Sequence, residues 1–94
     1  MSFVLEPKNK NCLELGVANG TWVKMLIGSG IADYLGIKTI TNDPITVTAE
    51  QAAECRKLIA AWIPYEGWGG GINNNTMKEY FDVFFRDCSG FTTR

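Results

Sequence analysis

Ninety-four residues with nine Lys and Arg against ten Asp and Glu carry a formal charge of -1. At 46% hydrophobic and 12% aromatic, the chain has the composition of one folded domain spanning 1–94, not of a disordered tail. It contains no histidine, which excludes histidine bases, triads and metal ligands, and it lacks the strong basic footprint of a nucleic-acid binder.

Ser2 to Glu6 reads as a short strand stopped by Pro7, and Pro7 to Asn11 as a five-residue turn. Leu13, Leu15 and Val17 alternate over Cys12–Val17, which predicts a half-buried second strand closing an antiparallel hairpin. Asn19-Gly20-Thr21 breaks that strand, and Asn19 or Thr21 is the expected cap of a short helix over Trp22–Ile27. Gly28 and Gly30 end it, and Ile31–Gly36 adds a helical turn.

Asn42-Asp43-Pro44 is a turn signal that leaves Ile45-Thr46-Val47 room for a brief strand only. Thr48-Ala49-Glu50-Gln51 matches a capping box and opens a helix from Ala49 to about Trp62. Its apolar stripe is Ala52, Cys55, Ile59 and Trp62, and Pro64 stops it. Tyr65 to Asn75 is glycine-rich and flexible by composition. Thr76-Met77-Lys78-Glu79 matches a second capping box. The helix behind it presents Met77, Tyr80, Phe81, Phe84, Phe85 and Cys88 as one stripe, with Gly90 at its C′ position and Phe91-Thr92-Thr93 as a last strand. The expected fold class is α+β: a small antiparallel sheet, built from the N-terminal hairpin and a C-terminal strand, packed against two or three helices.

Cys12, Cys55 and Cys88 are scattered and odd in number, and no Cys-x-x-Cys pair occurs. That pattern speaks against a disulfide framework or a zinc site, so the cysteines are expected to pack as small apolar residues. Met1 to Pro7 has no signal-peptide pattern, and no apolar run approaches the ~20 residues of a membrane span. The expectation is a cytoplasmic protein with no membrane partner and no cofactor.

Leu13-Glu14-Leu15-Gly16-Val17-Ala18-Asn19-Gly20 resembles the first motif of class I S-adenosylmethionine-dependent methyltransferases. Glu14, Gly16 and Gly20 take the acidic, first-glycine and last-glycine positions, and Ala18 replaces the middle glycine. That fold needs a seven-stranded, mostly parallel sheet with long crossovers, which 94 residues cannot supply. The expected structure here is a strand turning into a helix, and an S-adenosylmethionine-binding enzyme or fragment is the alternative function. The carboxylate pairs Glu50/Glu54 and Glu79/Asp82 read as solvated helix faces. No catalytic centre emerges from the residue types present.

The candidate binding surface is the glycine-rich loop. Tyr65 and Trp68 are aromatic anchors, Gly69 and Gly70 offer amides to an anion, and Asn73 and Asn74 offer paired donors and acceptors. The competing reading makes Trp68 a lid on the core. Arg86 and Arg94 supply the positive charge for a carboxylate or phosphate. Aromatic residues exceeding what a small core covers suggest a homo-oligomer.

The Asn42-Asp43 turn, the Val47-Thr48-Ala49-Glu50-Gln51-Ala52 helix start and the terminal Phe81-x-x-Phe84-x-Arg86-x-x-x-Gly90-Phe91 run together resemble a group of small bacterial and phage proteins. In that group an aromatic helix ends in the same Phe-x-x-Phe-x-Arg-x-x-x-Gly-Phe pattern. The resemblance spans about half the chain. It implies a phage-type accessory factor, an inhibitor or sponge in the host cytoplasm that docks on a host defence protein or sequesters a small anionic ligand. A small immunity or antitoxin-like protein is the further alternative.

Overall fold

The computed structural model describes residues 2–41 and 43–94. In chain order the elements are β1 (Ser2–Pro7), β2 (Leu15–Ala18), α1 (Asn19–Gly28), α2 (Ile31–Leu35), β3 (Thr46–Thr48), α3 (Ala49–Ala61), α4 (Asn74–Asp87) and β4 (Gly90–Thr93). The strands form one antiparallel sheet of order β2-β1-β4-β3. This is the α+β architecture the sequence predicts, with β3 as a fourth strand and with four helices.

Alternation decides which face the helices cover. Phe3, Leu5, Val17, Val47, Phe91 and Thr93 are buried, whereas Ser2, Val4, Glu6, Gly16, Ala18, Thr46, Thr48 and Thr92 are exposed or half-buried. One face of the sheet therefore carries the core and the other carries small and polar side chains. The helices add Trp22, Met25, Leu26, Ile31, Cys55, Ile59, Phe81, Phe84 and Phe85 to the same buried cluster. Phe81 is its hub, with its ring centroid 6.3 Å from Trp22, 6.0 Å from Trp68 and 5.8 Å from Phe85.

The Thr48 capping box forms as predicted: Gln51 N–H donates to Thr48 Oγ1 at 3.1 Å and Thr48 N–H to Gln51 Oε1 at 3.0 Å. Several other local expectations are corrected. Leu13 is 87% exposed and lies outside β2. The register Leu5↔Leu15 would next set Leu13 against Pro7, and proline has no N–H to give the ladder. The β1–β2 connection consequently runs from Lys8 to Glu14 rather than over five residues.

Neither Asn19 nor Thr21 caps α1. Ala18 is its N-cap without a side-chain bond. Helix α4 starts at Asn74, because Asn73 Oδ1 accepts the Asn75 N–H at 2.8 Å and captures the helix before Thr76 is reached. Tyr80 is 48% exposed, at the edge of the aromatic stripe. Ser89, not Gly90, is the first residue after the α4 C-cap, with φ 56°. In the predicted turn before β3, Asn42 lies outside the described residues, while Asp43 N–H donates to Thr41 Oγ1 at 3.2 Å.

Candidate functional site

The loop before α4 is folded onto the core. Gly67 and Gly70, at φ 87° and 67°, allow three successive tight turns, in which Trp68, Gly70 and Ile72 N–H donate to the Tyr65, Gly67 and Gly69 carbonyls. Trp68 is 2% exposed. It meets Trp62 edge to face at 5.0 Å, and its Nε1–H donates to the Thr21 carbonyl at 2.9 Å. In return Thr21 Oγ1 donates to the Trp68 carbonyl at 3.0 Å.

That arrangement turns part of the expected loop site inward. Trp68 and Gly69 are buried, so neither is presented to a partner. Gly69 N–H donates to Asn74 Oδ1, and Asn74 Nδ2 donates to the Tyr65 carbonyl at 2.8 Å. Asn73 Oδ1 is spent on its cap, and Gly70 N–H is spent within the turn. Tyr65, Gly70 and Asn73 stay exposed, Gly70, Asn73 and Asn74 border an open groove of about 430 Å³, and Lys24 Nζ lies 5.1 Å from the Tyr65 ring centroid. The loop is a lid whose polar groups bond one another.

The two arginines are both engaged in ion pairs. Arg86 Nε donates to the Asp87 carboxylate at 2.8 Å, which holds Asp87 below the usual carboxylate range and ionised at neutral pH. Arg94 Nε meets Glu6 at 2.7 Å, and its Nη2 meets Glu14 at 3.4 Å. Neither arrives as an unpaired cation for an anionic ligand. Arg86 also borders an open groove of about 570 Å³ between α3 and α4, where Arg56 is bonded to Asp82 at 2.8 Å.

The glycine motif at Glu14–Gly20 does not form a ligand cradle. Strand β2 passes straight into α1 at Ala18, Gly20 lies inside the first helical turn, and neither Gly16 nor Gly20 has positive φ. The sheet around it is antiparallel, so the methyltransferase architecture is absent. Among the described residues no group of three His, Cys, Asp or Glu side chains could hold a metal ion. The thiols are not poised for nucleophilic chemistry either: burial pushes Cys55 up to about 12 and raises Cys88, while burial and then the Asp87 charge raise Cys12.

The most distinctive surface was not anticipated. An open groove of about 560 Å³ runs between residues 11–15 and α4. Leu13, Tyr80 and Val83 line it and are 87%, 48% and 41% exposed. Every charged residue lining it is acidic: Glu14, Glu79 and Asp87. Glu79 makes no ion pair among the described residues. Leu13 and Tyr80 carry apolar spacing that assigns both to the core, and only the register of Pro7 against Leu13 signals otherwise.

No described helix is long and apolar enough to cross a membrane. No protein-family model matches the chain, and comparison with curated proteins and with solved structures finds no match.

Proposed function

We propose that the chain is a non-enzymatic binding protein that docks on another protein through the groove between residues 11–15 and α4. The observation that carries this reading is Leu13, a leucine held 87% exposed beside half-exposed Tyr80 and Val83. Grouped apolar side chains in water mark interaction surfaces in a way that scattered ones do not. Glu79, the groove carboxylate with no ion pair among the described residues, favours a partner segment that combines bulky apolar side chains with a Lys or Arg. Taken with the origin that the terminal Phe81–Phe91 pattern implies, the partner would be a host protein met by a phage-type accessory factor. Sequestration of a small anion has less support, because Arg86 and Arg94 are already matched by Asp87, Glu6 and Glu14.

Affinity capture with the intact chain beside its Leu13→Asp variant tests the assignment. Leu13 makes no contribution to the core, so the variant is expected to melt like wild type. Recovery of the captured protein is expected to fall by about tenfold or more. In the wild-type complex, alkylation of Cys12, which also lines the groove, should slow. Equal capture by the two chains, with Cys12 alkylated at its free rate, would overturn the assignment.

A further inference from the structure

The sheet has two edges, and they are treated differently by the sequence. Edge strand β3 is closed. It is only Thr46–Thr48, it follows Pro44, and its ladder groups bond β4, as the Thr93 N–H to Ile45 carbonyl bond of 2.9 Å shows. Of its outward amides, Thr48 N–H is taken by Gln51 Oε1, so Thr46 alone is left. Natural sheets blunt their edges by such devices, and also with charge or proline.

Edge strand β2, Leu15-Gly16-Val17-Ala18, is also short but contains no proline and no charged residue, and no side chain takes its outward amides. The direction of its backbone groups follows from β1. Val4 gives its N–H to the Arg94 carbonyl and accepts the Arg94 N–H, at 3.0 and 2.9 Å. Backbone groups alternate between neighbours along an antiparallel strand. Phe3 and Leu5 therefore turn theirs to β2, where they oppose Val17 and Leu15. The carbonyl of Glu14 and the amides of Gly16 and Ala18 point away from the sheet, and none has a backbone partner among the described residues. All three residues are exposed.

We infer that β2 is the dimerisation edge of this protein, pairing antiparallel with β2 of a second copy about a two-fold axis at Gly16. One register satisfies three conditions together. It sets Gly16 against Gly16, Glu14 against Ala18 and Leu15 against Val17. First, it joins outward groups only: Gly16 N–H to the Gly16 carbonyl in both directions, and Ala18 N–H to the Glu14 carbonyl in both directions. Second, it keeps faces matched, so half-buried Leu15 meets the partner's Val17 on the helix side and the apolar row of the sheet continues across the axis. Third, it opposes no like charges, since Glu14 faces an alanine. Sliding to Val17 on the axis would lose bonds, because the Ala18 carbonyl is committed to the first turn of α1.

Gly16 allows a decisive test, because a Cβ built there meets nothing within 4 Å. A side chain at this position is harmless to one copy, yet it lies directly across from itself in the pair, where like charges repel. Analytical ultracentrifugation over a micromolar concentration series is expected to show wild type approaching twice 10.4 kDa. Gly16→Lys and Gly16→Glu should each run as monomers with unaltered circular dichroism, and their equimolar mixture should recover the dimer. A wild type that stays monomeric overturns the inference. So does a dimer that survives either substitution, or a mixture that stays monomeric. Should either variant fail to fold, amide exchange of wild-type Gly16 and Ala18 decides. Protection that grows with concentration supports the edge, and fast exchange at every concentration overturns it.

Discussion

Trp68 shows how a residue can look like a contact and be a strut. Its ring meets Trp62 edge to face and stacks on Phe81, and its indole N–H and carbonyl both bond Thr21. Truncation to alanine removes a buried aromatic together with its indole N–H bond to the Thr21 carbonyl, while the Thr21 hydroxyl keeps the residue-68 backbone carbonyl as its acceptor. Trp68→Ala is therefore expected to destabilise the fold by about 3–5 kcal/mol. A thermal melt within a degree of wild type would show that the lid is dispensable. This residue was only half legible in the sequence. A stretch with four glycines between 67 and 71 reads as loose, whereas the groups that pin it lie 47 positions away, and local composition cannot reveal them.

At the level of elements, the capping boxes separate what local sequence can and cannot decide. Thr48 and Gln51 satisfy each other with nothing upstream competing. Thr76 and Glu79 have the same spacing, yet Asn73 stands three residues earlier with a short side chain suited to the same role, and it wins. Asn73→Ala is expected to cost about 1 kcal/mol in chemical denaturation, and Thr76→Ala to stay within about 0.5 kcal/mol. The reverse order would put the helix start back at Thr76. The second hairpin strand was legible from period-two alternation, and the aromatic face of α4 from its three- and four-residue spacing. The groove was not, because it exists only where the 11–15 segment meets α4 in space.

For the molecule as a whole, a radius of gyration of 12.0 Å is close to the ~12 Å of a packed chain of this length. All five phenylalanines are buried, as are Trp22 and Trp68, whereas Tyr34, Tyr65 and Tyr80 stay half-exposed, so the core covers most of its aromatics and leaves the tyrosines at the surface. The thiols report on the integrity of this core. At pH 8 one thiol per chain, Cys12, is expected to react with iodoacetamide, and Cys55 and Cys88 only at the rate of global opening. Two or more fast thiols would mean that α3 and α4 part without unfolding the rest. Because folding raises the Cys55 pKa to about 12, stability should fall as pH climbs above ~8.5, where the unfolded thiol ionises first.

Pro7 has an effect out of proportion to its size. By withholding one amide it ends the ladder at Leu15 and leaves Leu13 in water. The free chain gains no stability from that leucine, so at this position folding and recognition are uncoupled. Substitutions at Leu13 can then be ranked by what they do to a complex, with no correction for a damaged fold, which few apolar positions in a chain of this length permit.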